Sequence, residues 1–222
     1  QVGHTTIEPI DLLDAFENEP PQLDFVLPAL LKGSVGMVAS AGGVGKSMVM
    51  LQTAMSIAAG RDVWNLWGND PKAGDVVYLA LEDVSEILQW RSHYSGKTIG
   101  SDIREYAAIG LQLMPMYGTG LCVDAQDPVF QQIAAQSVGA RLIVIDTLNR
   151  AIPGYNENDN SEMARVISTL EALAVDTGAA VIVCHHVGKS AMREGRSGAD
   201  QTAARGASAL TDNVRWQVQL AS

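Results

Sequence analysis

A glycine-rich stretch at residues 40–47 has the residue types and the spacing that bind phosphate. It reads SAGGVGKS, directly after the apolar run VGMVA and directly before a segment with helical apolar periodicity. Glycines allow successive backbone N–H groups to curl around phosphate oxygens, and the N-terminus of the following helix adds a favourable dipole. In such a loop Lys46 reaches the β- and γ-phosphates, while Ser47 places its hydroxyl on Mg²⁺.

This stretch therefore predicts a site for a magnesium-bound nucleoside triphosphate. Ser40 stands where the usual GxxxxGK[ST] pattern has glycine, and the three glycines that follow supply the backbone freedom. The alternative is a glycine-rich turn with an incidental Lys-Ser pair. The residues predicted to contact the nucleotide along the loop are Ala41, Gly42, Gly43, Val44, Gly45, Lys46, Ser47 and Met48.

Two acidic residues end apolar runs and are candidates for the chemistry beside the phosphates. Asp146 ends the run LIVID, which is typical of a buried strand that presents an acid to Mg²⁺ at its tip. No glutamate follows Asp146, so the group that activates water must come from elsewhere. Glu82 follows the run VVYLAL, where its carboxylate could polarise an attacking water. The alternatives are that Asp146 caps the next turn and that Glu82 is a first-turn acid of the next helix.

The pair His185-His186 ends another apolar run, AVIVC. Neighbouring residues of a strand point to opposite faces, so the two imidazoles are poorly placed to chelate one metal together. One histidine can face the γ-phosphate and report the nucleotide state, and the other then packs. The alternative is that the histidine at the strand end is structural.

Two features near the end of the chain suggest contacts with larger partners. The segment 187–205 has four basic residues and two acidic ones. Such a glycine-rich, basic segment is suited to contact the phosphate backbone of nucleic acid. The alternative is a solvated loop that binds no ligand. The run NVRWQVQL alternates polar and apolar residues, which predicts a half-exposed strand. Its Arg215 is either an ordinary surface arginine or one that is presented to the nucleotide of a neighbouring subunit. The residues predicted to bind DNA are Lys189, Arg193 and Arg196.

Short apolar runs alternate with helical segments from residue 35 onward. Strands that read as continuous apolar runs are buried on both faces, as in a parallel sheet covered by helices, so the pattern predicts a three-layer α/β domain over residues 35–222. Residues 1–34 are predicted to form an N-terminal arm that contacts another subunit; its apolar residues around 10–16 suggest one or two helical turns, and later prolines prevent a longer helix. The predicted strands are 35–39, 76–81, 111–116, 141–146 and 180–185, and the predicted helices are 47–59, 84–95, 126–138 and 161–177.

Composition excludes several classes of protein. Of the 222 residues, 47% are apolar and 18% are charged, which excludes disorder for most of the chain. Two distant cysteines indicate neither a disulfide framework nor a structural zinc site, and no run is long enough to span a membrane, so we expect a cytoplasmic protein. The net charge of -10 argues against unspecific coating of nucleic acid but allows a local basic channel.

The motifs together resemble those of RecA-like ATPases. SAGGVGKS, YLALED, LIVIDT, VIVCHH and ARGASALTDNVRWQ occur in that order and with similar spacing. More narrowly, they resemble the RepA family of hexameric replicative helicases from broad-host-range plasmids, and this similarity extends to the N-terminal stretch DAFENEPPQLDFVLP. The resemblance implies a RecA-like P-loop core with a mostly parallel sheet, a homohexameric ring, ATP and Mg²⁺ as ligands, single-stranded DNA as partner, and a replication initiator or primase as a further partner.

The resemblance also implies roles for individual residues. Lys46 and Ser47 match the residues that bind phosphates and magnesium, Glu82 matches the catalytic glutamate, and Asp146 matches the magnesium-side aspartate. His186 matches the γ-phosphate sensor. The arginine that acts across the subunit interface falls on Arg215, and Arg91 matches a family arginine near the active site.

These resemblances predict a DNA helicase that hydrolyses MgATP at its subunit interfaces. It would act in the replication of a plasmid, phage or mobile element. Those helicases continue beyond the strand that carries Arg215, whereas this sequence stops at Ser222, so the ATPase is implied more directly than the helicase. A RecA-like ATPase that acts as a regulatory or assembly switch is the alternative. A small-molecule kinase is a third possibility, but Glu82 and the paired histidines fit hydrolysis better.

Overall fold

The computed structural model describes residues 8–157, 159–186, 210 and 213–221. A short antiparallel hairpin comes first, followed by six parallel strands that form the central sheet. The strands are β1 (Phe25–Leu27), β2 (Leu30–Leu31), β3 (Val35–Ser40), β4 (Val76–Ala80), β5 (Leu111–Pro115), β6 (Leu142–Asp146), β7 (Ala180–His186) and β8 (Trp216–Leu220).

The order across the central sheet is β5-β4-β6-β7-β3-β8, so β3, which leads into the glycine-rich loop, lies between β7 and β8. Every residue of β3, β4 and β6 is buried, as the apolar runs predicted. On β8 burial and exposure alternate, in agreement with the half-exposed strand expected there.

Helices cover both faces of this sheet. One hydrophobic cluster lies between the sheet and the fifth and sixth helices, and a second lies between the sheet, the second to fourth helices and the hairpin. The predicted three-layer α/β architecture of the RecA-like type is therefore confirmed. The helices are α1 (Leu12–Glu17), α2 (Lys46–Ala59), α3 (Ser85–Gly96), α4 (Ser101–Gly110), α5 (Pro128–Gln136) and α6 (Asn160–Thr177).

Helix α4 was missed by the sequence interpretation, for a physical reason. It is only ten residues long, and its buried residues are Ile103, Ala107 and Gly110. A segment of this length is at the lower limit at which a helix can be told from a strand or a loop in a sequence.

The N-terminal residues divide into an exposed part and a packed part. Helix α1 has no buried residue. In the hairpin, by contrast, Val26, Leu27 and Leu30 are at most 4% exposed and belong to the second hydrophobic cluster. An ion pair joins the segment before the hairpin to the residue that precedes β6, because Arg141 donates two hydrogen bonds of 2.7 and 3.0 Å to the carboxylate of Asp24. These hydrogen bonds, together with the positive charges of Arg141 and Lys72, lower the pKa of Asp24 to about 2.

The register of the parallel strands brings the predicted site residues to one edge of the sheet. Ser40, at the end of β3, pairs with His186 at the end of β7, and Ala80, at the end of β4, pairs with Asp146 at the end of β6. Ligands of open α/β sheets bind at these carboxyl ends. Among the described helices, none combines the length and the apolar character that crossing a membrane requires.

Candidate active site

The glycine-rich loop forms one wall of a pocket of about 290 Å³. The loop leaves β3 after Ser40 and enters α2 at Lys46, and it turns through Gly43 and Gly45 with φ of 79° and 94°. This left-handed backbone is one that glycine adopts without steric cost. The residues that line the pocket are Ser40, Ala41, Gly43, Val44, Gly45, Lys46, Ser47, Met48, Glu82, Arg91 and His186.

The structure thus brings together almost all of the residues predicted to contact a nucleotide. Only Gly42 of the predicted loop residues is not in the lining, and it lies between two that are. Three predictions from distant parts of the sequence, Glu82, Arg91 and His186, reach the same pocket. The left-handed glycines and the helix that begins at Lys46 give the loop the backbone geometry that phosphate requires. We therefore keep the prediction that a nucleotide binds there.

Asp146 accepts a hydrogen bond from a tyrosine that the sequence interpretation missed. The Tyr78 hydroxyl donates a hydrogen bond of 2.6 Å to Oδ2 of Asp146 and lies 3.3 Å from the carbonyl oxygen of Ser47. Burial, reinforced by the negative charge of Asp146, raises the pKa of Tyr78 well above its ordinary value. The phenol therefore stays protonated and remains a donor, and it fixes Asp146 beside the first turn of α2.

The second carboxylate oxygen of Asp146 is free to serve a cation. Oδ1 is buried and has no hydrogen-bond partner, although Asp146 is only 3% exposed. A buried, unsatisfied acceptor is costly, and its presence in a folded protein calls for an explanation. Mg²⁺ prefers oxygen ligands and usually binds through one or two protein groups together with substrate phosphates. The oxygens of Asp146 and Ser47 fit that requirement, and no group of three or more acidic, histidine or cysteine side chains suited to a metal occurs in the described part of the chain.

A chain of polar contacts links the loop lysine to the candidate catalytic glutamate. The Lys46 ammonium lies 3.2 Å from Nδ1 of His186, and Nε2 of His186 lies 3.3 and 3.4 Å from the two carboxylate oxygens of Glu82. An ammonium has donors only, so Nδ1 accepts and the imidazole proton lies on Nε2, from which it is donated to Glu82. The buried Thr147 hydroxyl donates a bond of 2.9 Å to Oε1 of the same carboxylate.

These contacts place Glu82 as a group that can take a proton. Two donors orient its carboxylate, and about a third of its side chain (35%) is open to solvent. A water molecule can therefore approach it from the pocket. Thr147 was not identified from the sequence, because a threonine after a strand gives no signal of its own.

The two histidines lie in different surroundings. His185 is 4% exposed, does not line the pocket, and lies with its Nδ1 3.2 Å from Oδ1 of Asn149. Burial, followed by the positive charge of Lys46, lowers the pKa of His185 to about 4. His185 is therefore neutral at pH 7 and packs, whereas His186 is the one that lines the pocket.

Arg91 enters the pocket from α3 and pairs with Asp83. Burial raises the pKa of Asp83, as do the negative charges of Asp146 and Glu82, while the Arg91 guanidinium opposes the shift. The Arg91 guanidinium is thus paired with one carboxylate and lies in the lining of the pocket. Arg91 therefore lies in the pocket to which the resemblance assigned it, and its contact with a nucleotide stays a prediction.

Arg215 is not part of this cluster. It is exposed and comes just before β8, whose first residue, Trp216, pairs with Gly36 near the start of β3. Arg215 therefore lies at the opposite end of the sheet from the pocket and does not serve the nucleotide site of its own chain. Its expected role at the site of a neighbour stays a prediction.

The residues predicted to bind DNA in the segment 187–205, which are Lys189, Arg193 and Arg196, lie outside the described residues. In the loop after β6, Arg150 is exposed, whereas Tyr155 packs against the first hydrophobic cluster. Tyr155 is therefore tied to the core and is poorly placed to stack on bases.

The comparison with protein families agrees with this geometry. A family model described as the AAA domain matches residues 4–192, which is most of the chain and includes the glycine-rich loop, Glu82, Asp146 and His186.

Proposed function

We propose that this chain, which belongs to the AAA domain family and is a P-loop ATPase, uses MgATP to move along single-stranded DNA as a hexameric ring, as the RepA helicases do. Nucleotide would bind between subunits, and the setting would be replication of a plasmid, phage or mobile element. A replication initiator or primase is the protein partner that such a role requires. The observation that carries the proposal is the contact chain from Lys46 through His186 to Glu82.

Hydrolysis is assigned to residues of this pocket. Lys46 and the loop amides bind the polyphosphate, and Ser47 and Asp146 hold magnesium, which neutralises phosphate charge when it is bound. Glu82, fixed by Thr147, accepts the proton of the attacking water. Arg215 of the neighbouring subunit adds positive charge at the transferring phosphoryl group.

Coupling of hydrolysis to movement is assigned to His186. In the structure Lys46 donates to this imidazole. When the γ-phosphate takes up the ammonium, the imidazole loses that donor and its position changes. His186 is followed directly by the basic segment 187–205. A displacement of His186 would therefore be passed to the residues proposed to bind DNA.

Steady-state ATP hydrolysis with and without single-stranded DNA tests the proposal. We expect the DNA to raise turnover, and we expect its binding to weaken as salt rises. Three phosphate contacts predict a slope of about −2 for log affinity against log salt, at roughly 0.7 per contact. Replacing Lys189, Arg193 and Arg196 together by alanine should remove most of that slope. Arg61→Ala is the control, since Arg61 is exposed and pairs with Asp70 at the far end of α2.

Hydrolysis that ignores DNA, in protein that still binds MgATP, would contradict the motor. It would favour the regulatory or assembly switch instead. A slope near zero in protein that does bind DNA would contradict the electrostatic contact assigned to the segment 187–205.

A further inference from the structure

Helix α1 has an apolar face with nothing packed against it in the described part of the chain. Leu12 and Phe16 are one turn apart, Leu13 and Phe16 are three residues apart, and these side chains are 63–79% exposed. A helix of six residues is well below the roughly 12–15 residues at which an isolated helix becomes even marginally stable in water. Its side-chain cap from Asp11 does not replace packing. The apolar face therefore needs a partner surface.

A pocket of about 480 Å³ between α2, α3, α4 and β5 offers such a surface. Its volume falls in the range of about 300–1,000 Å³ that is typical of binding pockets. Met55 and Ala107 form part of its wall and are at most 8% exposed, and Leu111 and Leu113 complete the apolar lining.

An aromatic cluster borders this pocket. His93 lines it, the Tyr94 ring lies 5.3 Å from the His93 ring, and the Trp90 ring lies 4.5 Å from that of Tyr94. Trp90 is 58% exposed and Tyr94 is 46% exposed. An exposed tryptophan and tyrosine beside an apolar pocket are residue types that dominate protein interfaces.

Charge distinguishes the arm from the pocket. Between Glu8 and Glu19 the arm has five acidic residues and neither lysine nor arginine. The charged residues in the lining of the pocket are Lys97 and Arg104, and none of the described residues that line it is acidic. The two surfaces are therefore complementary both in apolar character and in charge.

The segment between α1 and the hairpin argues for a second copy of the chain. Residues 18–24 contain Pro20 and Pro21, which favour an extended, stiff backbone. Seven residues of that kind span roughly 20 Å, at about 3.1 Å per residue. Helix α1 has no buried residue, and in the described structure none of its residues lines the pocket of its own chain.

We propose that α1 of one subunit docks its apolar face into the pocket between α3 and α4 of the next subunit. The inference rests on the proposed ring and names the contact that joins its members. An arm on one side and a pocket on the other make a head-to-tail interface, which closes into a ring when the rotation per subunit allows it. The contact is of the helix-in-groove type, in which an amphipathic helix lays its apolar face into a hydrophobic groove. Because α3 also carries Arg91 into the nucleotide pocket, the docked arm contacts a helix that borders the active site.

Disulfide trapping between two chains tests the docking. Two versions of the chain are made in a Cys122→Ser background, one with Phe16→Cys and the other with Ala108→Cys. Tags give the two versions different masses. They are co-expressed and then oxidised. Ala108 is exposed at the pocket, and the remaining cysteine, Cys184, is buried. We expect a covalent heterodimer on a non-reducing gel, and we expect none when Leu23→Cys replaces Phe16→Cys. A disulfide only within a chain that carries both substitutions would overturn the proposal in favour of docking onto its own pocket.

The strength of association gives a second readout. Phe16→Ser should weaken subunit association about tenfold or more, the amount expected from one lost apolar anchor. Leu23→Ser, on an exposed leucine of the same arm outside α1, should leave it unchanged. Reversing Lys97 and Arg104 to glutamate should weaken association, and reversing Asp14 and Glu17 to lysine in the same chain should restore it.

The two possible failures are distinguishable. If Phe16→Ser chains still form rings, and Phe16→Cys chains give no cross-link to Ala108→Cys chains, the docking is refuted. That result does not affect the proposed motor function. A wild-type chain that binds MgATP and stays monomeric at all concentrations refutes both the docking and the ring.

Discussion

Glu82→Gln is expected to reduce ATP hydrolysis by about 10²–10⁴-fold, the usual contribution of a positioned general base, while ATP stays bound. Glutamine keeps the size of the side chain, and its amide oxygen can still accept the bond that Thr147 donates to Glu82. It cannot take a proton from water. The loop amides, Lys46 and Ser47 are untouched, so nucleotide affinity should remain close to that of the wild type. Retention of labelled ATP on a filter, together with the rate of phosphate release, measures both quantities.

The matched control for this substitution is Glu86→Gln, which removes the same charge from the exposed first turn of α3. Its hydrolysis should equal that of the wild type. If Glu82→Gln hydrolyses ATP within a few-fold of the wild-type rate, another group activates the water, and the contact chain through His186 has a different purpose.

Arg215→Ala is expected to lower turnover roughly a thousandfold or more, the usual value of an arginine that stabilises phosphoryl transfer in trans. ATP binding should change little, because such an arginine acts mainly on charge that develops in the transition state. In the described structure Arg215 is exposed at the end of the sheet opposite the pocket, so we expect it to act on the pocket of a neighbouring subunit. Single-turnover rates and equilibrium ATP binding, measured on the same preparation, separate the two effects.

Mixing two inactive variants tests whether Arg215 acts in trans. An Arg215→Ala chain keeps a complete pocket, and a Glu82→Gln chain keeps the arginine. Where the two alternate in a ring, the pocket of the first meets the arginine of the second, so part of the activity should return. A mixture that stays as inactive as its components, in protein shown to form mixed rings, would contradict an arginine shared between subunits.

Much of the site was predictable because its chemistry is encoded in short, contiguous patterns. Gly43, Gly45, Lys46 and Ser47 occur within five residues, and the loop they form depends only on backbone freedom and on the helix that follows. Asp146 was identified because it ends a continuous apolar run. Parallel strands then bring such ends together without further information.

What the sequence did not reveal depends on contacts between distant residues. Tyr78 reads as a core residue of β4, and only its hydroxyl bond to Asp146 shows that it orients the magnesium-side acid. Thr147 likewise becomes visible only through its bond to Glu82. The choice between His185 and His186 could be stated as an expectation, but which side chain faces the pocket depends on the register of β7 against β3.

The boundary of the arm was less predictable for a different reason. The prolines and acidic residues of the first 34 residues all indicate an extended segment. Val26, Leu27 and Leu30 nevertheless pack in the second hydrophobic cluster, because the Trp216 indole donates a hydrogen bond to the carbonyl oxygen of Pro28 and closes the hairpin against the sheet. Three apolar residues within a proline-containing segment do not make a strand signal that can be told from a loop.

Equilibrium binding of a labelled ATP to the wild-type chain and to Lys46→Ala, each with and without magnesium, is the measurement that bears most directly on the whole account. We expect saturable, magnesium-dependent binding by the wild type. Lys46→Ala should lose about ten- to a hundredfold in affinity, since a charged hydrogen bond contributes about 1.5–3 kcal/mol. Lys32→Ala, which changes an exposed lysine beside β2, should bind as the wild type does. Wild-type protein that does not bind the magnesium-complexed triphosphate, or a Lys46→Ala chain that binds it equally well, would contradict the assignment of the glycine-rich loop.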